Sequence, residues 1–131
     1  MAPNDIELTR VWTRKIGGTV AHHTFPSGTG FEIVVDCESG ASIQGSGSPW
    51  EIGICVRDLC DNNPIVFTAT QNGSLGSPPW ISLDFFAVFT IPAPTPAQEG
   101  HIWEVVASLK VRPIDPDMSF SKSALFCITA P

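Results

Sequence analysis

The sequence predicts an all-β fold, an antiparallel β-sandwich of about seven strands, and three observations carry that expectation. Apolar and polar residues alternate in segment after segment. Clusters of Gly, Pro, Asn, Asp and Ser separate those segments, and no useful length of chain has the helical period of about 3.6 residues. The cleanest alternation lies in residues 101–112. There Trp103, Val105, Ala107, Leu109 and Val111 take one face, while Glu104, Ser108, Lys110 and Arg112 take the other together with Ile102 and Val106. A strand of this kind has to cover its apolar face with a second layer.

The elements follow in order. Residues 6–16 read as the first strand, with Ile6, Leu8 and Trp12 on one side and Arg10 interrupting the pattern. Gly17-Gly18 ends it, and a connection through His22, His23, Pro26 and Gly28 leads to a second strand, 31–37, with Phe31, Ile33, Val35 and Cys37 on one face. Residues 38–49 are rich in Gly and Ser, which bury too little side chain to hold a regular element, so they read as a loop. Trp50, Ile52, Ile54 and Val56 share one face of a third strand, 50–57, and the Asp and Asn side chains of 58–64 favour a turn. A fourth strand covers 65–71, and Asn72-Gly73 opens the loop that runs to residue 79. The fifth strand, 80–91, is the most apolar, with Ile81, Leu83, Phe85, Ala87, Phe89 and Ile91 on one face, and is expected to be central. Pro92, Pro94 and Pro96 deny donors to any ladder and force an extended connection into the sixth strand, 101–112. Residues 113–120 read as a loop, and 122–129 close the set as a seventh strand.

Seven strands at this spacing resemble immunoglobulin-like or fibronectin-like sandwiches in architecture alone. The strand 101–112 lacks the second core cysteine of antibody-type domains. A jelly roll and a C2-like sandwich are the alternative arrangements of the same strands.

A length of 131 residues suits one domain spanning 1–131, with residues 1–5 expected to be loose, and 43% hydrophobic against 15% charged residues suits a folded chain. The net charge of −6 and only seven scattered basic residues argue against a nucleic-acid partner, which needs clustered cations. The N-terminal residues lack a basic-then-apolar signal and no apolar run is long enough to span a bilayer. The reading is therefore a soluble, acidic protein without membrane insertion, cytoplasmic in location, with secretion as the alternative.

Consecutive antiparallel strands send successive loops to alternate ends of the molecule, which groups residues distant in sequence. One end collects 38–49, 72–79 and 113–120. Gly47-Ser48-Pro49-Trp50 and Gly76-Ser77-Pro78-Pro79-Trp80 both bring a tryptophan to that rim, with Asp115 and Asp117 nearby. Trp50, Trp80, Asp115 and Asp117 are therefore the candidate ligand-binding residues, suited to a protein or carbohydrate partner; the competing reading has both indoles capping the core. The other end collects His22, His23 and His101 with Asp58 and Asp61, a candidate zinc site whose bound water would serve hydrolysis. Asp58, Asp61, Asn62 and Asn63 are an oxygen set for calcium, without the loop pattern of an EF-hand, and plain solvated histidines are the alternative to both metals. Cys37 falls at the end opposite Cys55, Cys60 and Cys127, so it is expected to be a buried thiol. The other three allow one bridge or one reactive thiol, and a leftover cysteine points to a reducing compartment.

Neither a phosphate-binding loop, a dinucleotide fingerprint nor a serine nucleophile elbow is present, so no catalytic residue is assigned. The leading functional expectation is a non-catalytic binding or protein-interaction module. The alternatives are a metal- or thiol-dependent hydrolase at the end carrying His22, His23 and His101, and a self-associating protein with an apolar exposed sheet face.

Overall fold

The computed structural model describes residues 6–62, 65–112 and 117–131, with only the backbone of Asp117. The expectations for residues 1–5, for Asn63 and for Asp115 lie outside the described residues. The described chain is all-β apart from single helical turns. Strands β1 (Ile6–Arg14), β3 (Phe31–Ser39) and β6 (Asp84–Ile91) form a three-stranded sheet in the order β1-β3-β6. The larger sheet runs β2-β9-β7-β4-β5, from β2 (Thr24–Pro26), β9 (Phe126–Thr129), β7 (Ile102–Val111), β4 (Pro49–Asp58) and β5 (Ile65–Ser74). Strand β8 (Asp117–Lys122) also joins β7. Strands β8 and β9 follow one another along the same edge of β7, opposite Val111–Val106 and Trp103–Ile102 in turn. All neighbours are antiparallel except β2 and β9.

The alternation in β7 is realised in full: Trp103 is 1% exposed, and Val105, Ala107, Leu109 and Val111 are completely buried. Its neighbour β4 turns Trp50, Ile52, Ile54 and Val56 to the same side, and both meet Phe31, Ile33, Val35 and Cys37 of β3 in one hydrophobic cluster. Each fully buried side chain of this size contributes about 1.5–3 kcal/mol. Aromatic groups close the core at both ends. Phe25 stacks on Phe31 at 4.4 Å, with Phe126 and Trp103 around them, and Trp50, Trp80 and Phe85 pack together at the other end.

Four expectations are corrected. Strand β1 carries one extra residue between Leu8 and Arg10, so the inward series passes from Ile6 and Leu8 to Val11 and Thr13, and Trp12 points outward. Asn72-Gly73 does not open a loop but continues β5 to Ser74, and Gly73 lies opposite Trp50. A Cβ there would come within 2.9 Å of the indole, so the bare backbone is what lets the ring lie down. The strand expected over 80–91 begins at Asp84, leaving Ile81 and Leu83 exposed, and it is an edge rather than a centre because β3 alone lies between two strands of that sheet. Finally, residues 117–122 are a strand rather than a loop, and the expected last strand starts only at Phe126.

Side chains tie the two sheets at both margins. Ser119 Oγ on β8 accepts the Leu8 N–H of β1 at 3.1 Å, and Gln71 Nε2 on β5 donates to the Val88 carbonyl of β6 at 2.7 Å.

Candidate functional site

The first loop end is built as a seal. Trp50 and Trp80 are 2% and 0% exposed, packed edge to face at 5.7 Å, with the Trp80 ring stacked on Phe85 at 5.1 Å. The Gly/Ser segments close over them. A single helical turn, α1 (Ala41–Gln44), positions Gln44 to donate from Nε2 to the Trp80 carbonyl at 3.1 Å and to accept the Ser39 hydroxyl at 2.6 Å. Leu75, 1% exposed, is held by its N–H to the Ser48 carbonyl at 2.9 Å. The two predicted ligand-binding tryptophans do meet, but their rings face the core, and neither indole N–H has a protein acceptor. Asp115 lies outside the described residues, and Asp117 is placed by its backbone at the start of β8.

At the second end, Asp58 continues the inward series of β4 by one more step of two, which places a carboxylate in the core margin with its side chain 1% exposed. Its Oδ1 accepts the Cys60 N–H at 2.9 Å and its Oδ2 bonds His101 Nδ1 at 2.6 Å. Burial by itself raises the Asp58 pKa. The bond from His101, the Cys60 N–H, the nearby Trp103 indole and the imidazole charge together outweigh that, and the carboxyl sits below its ordinary value. The Trp103 N–H adds to the field there without the geometry of a full hydrogen bond.

His101 is pinned from the backbone as well: its carbonyl accepts the Ile128 N–H at 3.1 Å, and Gly100 N–H reaches back to the Ile128 carbonyl at 2.7 Å. With Nδ1 committed to a buried carboxylate, the ring orientation is fixed and Nε2 is the nitrogen left for other partners.

The remaining predicted metal ligands stand apart from this pair. His22 turns Nδ1 to the Val20 carbonyl at 3.1 Å, and Thr13 Oγ1 donates to the His22 carbonyl at 2.6 Å. The exposed His23 accepts the Cys127 N–H through its carbonyl on one side of β9, while His101 accepts from the other side. Two strand spacings, roughly 10 Å, therefore separate their backbones. Asp61 is exposed, three residues after Asp58 and directly after Cys60. Among the described residues no three His, Cys, Asp or Glu side chains form a group suited to a metal ion.

All four cysteines are thiols in the structure: Cys37 buried, Cys55 and Cys127 half-buried, Cys60 exposed. Burial, reinforced by the Asp36 charge, pushes the Cys37 thiol up to about 12 and leaves it unreactive.

The outer faces of the two sheets differ in a way that periodicity alone does not reveal. On the smaller sheet, polar groups along β1 and β3 are paired with one another, while Phe86 on β6 is 58% exposed: Trp12 Nε1 donates to Asp36 Oδ2 at 3.0 Å, and Arg14 bridges Glu32 at 3.0 Å. The Arg10 guanidinium also lies 4.8 Å from the Trp12 ring. Val34, directly opposite Trp12, is consequently only 1% exposed although it points outward. On the larger sheet, the outward residues Gly53, Cys55, Thr68, Thr70, Val106 and Ser108 line an open trough of about 470 Å³. Phe120 stands beside it, 65% exposed. Charges flank the trough at both ends as cross-strand neighbours, Glu51 with Lys110 and Arg57 with Glu104. No ion pair closes between them among the described residues. The signal for this surface lay in the outward positions of 50–57, 65–71 and 101–112, which are mostly small and uncharged in the middle, but it needs the register to assemble them.

No helix among the described residues is long and apolar enough to cross a membrane. No protein-family model matches the chain, and no curated protein is significantly similar to it in sequence.

Proposed function

We propose that this chain is a non-catalytic interaction module that docks a protein partner on the outer face of its larger sheet. The observation that carries the reading is the open trough over Gly53 and Val106 with Phe120, 65% exposed, beside it, on a face whose flanking charges close no ion pair among the described residues. Exposed aromatic and apolar surface framed by charge is the usual make-up of a docking patch. The strand order supports an immunoglobulin-like or fibronectin-like sandwich as the scaffold. β1-β3-β6 stand in one layer, β5-β4-β7 with β8 and β9 in the other, and β2 runs parallel to β9. Such scaffolds carry many unrelated activities, so the proposal rests on the face and not on the fold. A photo-crosslinking residue in place of Ser108 is expected to yield one discrete adduct in the native cellular extract, and the same residue in place of Thr90 on the smaller sheet none. Equal labelling at both positions would sink the proposal.

A second reading draws on the Asp58–His101 bond, since a buried carboxylate holding an imidazole is how a general base is oriented. A thiol-dependent hydrolase at this end would use the exposed Cys60, whose N–H shares the Asp58 carboxylate. That reading requires Cys60 to be alkylated faster than free cysteine at neutral pH and to slow when His101 is replaced by Ala. Ordinary thiol reactivity, unchanged in H101A, would dismiss it.

A further inference from the structure

We infer that the occupant of the larger sheet's outer face is a second copy of this chain, related by a two-fold axis running along the strands between β4 and β7. The inference rests on the reading of that face as the docking surface and adds the partner's identity. A half-turn about such an axis exchanges β4 and β7 at the same level, so each outward residue meets the copy of its own register partner. The register makes every such meeting favourable: Glu51 over Lys110 of the second copy, Arg57 over Glu104, Cys55 over Val106, and Gly53 over Ser108. The flanking strands are exchanged in the same way. Phe120, Ser108, Gly53 and Thr70 lie in one row across the sheet, so Phe120 of one copy is carried over Thr70 of the other, beside the low floor left by Gly53. A Cβ at Gly53 would lie 3.2 Å from the Ser108 hydroxyl, so this floor is already at packing distance and free of any side chain of its own. An axis running across the strands would also pair opposite charges, Glu51 with Arg57. It would, however, set Phe120 over Lys122 and Val106 over Ser108, which loses both apolar contacts.

The charge balance of the face supports a like partner. The chain carries a net charge of −6, which opposes self-association over most of its surface. On this face Glu51 and Glu104 are outnumbered by Arg57, Lys110 and Lys122, so the excess negative charge is carried elsewhere.

Four strands about 4.8 Å apart and some seven residues long give a footprint of roughly 450 Å² per copy. That is about half of the ~800 Å² per partner of a standard interface, so the dimer is weak and has to be examined from about 10 μM to 1 mM.

Sedimentation velocity of the full chain over that range tests the inference. The expected result is a monomer–dimer equilibrium for the native sequence, and monomer throughout for E51K and for K110E, each of which opposes like charges twice across the axis. The equimolar mixture of E51K and K110E restores the dimer, because each charge again meets its opposite in the second copy while neither chain has regained its own internal pairing. Where circular dichroism shows that a charge variant has lost its fold, Phe120→Ser, at an exposed position outside the core, takes its place and weakens association at least about tenfold. A native chain that stays monomeric to about 1 mM, a dimer indifferent to these variants, or a mixture that stays monomeric overturns the inference. A Ser108 crosslink to a different protein would then leave the docking face standing with another occupant, whereas no crosslink at Ser108 would remove the face as well.

Discussion

Asp58 is the residue at which local pattern and chemistry part company. In sequence it opens a polar turn and looks like a solvated side chain. It is also the fifth member of the inward series that starts at Trp50, and that parity buries it. Its carboxylate is tolerated there because the Cys60 N–H and His101 Nδ1 occupy its oxygens. Asp58→Asn keeps the shape but removes the charge, and is expected to lower stability by about 1–3 kcal/mol in urea unfolding near neutral pH. The carboxyl's pKa is depressed in the folded state. Its contribution is therefore complete above the unfolded value of about 3.9 and lost as the pH falls through the lower folded value. The native protein and D58N should accordingly converge in stability on acidification below about pH 4. A gap that stays constant down to pH 2 would contradict this account. The pairing with His101 was within reach of the sequence only as a grouping of loops, since 43 residues separate the partners.

At the level of elements, alternation located the strands and misplaced their roles. The most apolar stretch, 80–91, became an edge strand: β6 pairs with β3 on one side only, and its outward Phe86, opposite Asp36, stays 58% exposed. The charged-looking β1 lies beside β3, where a single extra residue turns Trp12 outward to Asp36. Edge strands invite unwanted pairing, and here the two sheets use side chains to cover them. Gln71 does so for β6 by donating to the Val88 carbonyl at 2.7 Å. Gln71→Ala should cost about 0.5–1.5 kcal/mol and speed amide hydrogen exchange along β6 while leaving the central strands β4 and β7 protected. Exchange that accelerates equally in all strands would show that the bond does not act locally.

For the whole molecule, the two loop ends and the two sheet faces have separate tasks. The end carrying Trp50 and Trp80 seals the core, the opposite end carries the fixed Asp58–His101 pair, the smaller sheet pairs polar groups along β1 and β3 on its outer face, and the larger sheet's outer face holds the open trough. The sequence by itself determined the all-β class, most strand positions and the inward residues of β3, β4 and β7. These depend on a two-residue period that each strand carries locally. It also brought the segments carrying Trp50 and Trp80 to one end and those carrying Asp58 and His101 to the other, because antiparallel succession alternates direction, whereas residues 117–120 of its third grouped loop are strand. Tertiary structure alone decided which sheet each strand joins, which strand is central, and whether a rim tryptophan faces solvent or core. It also assembled Gly53, Val106, Thr70 and Phe120 into one surface. Those outcomes depend on register and on contacts between residues far apart in the chain, and a one-residue bulge such as that in β1 is enough to reverse a face.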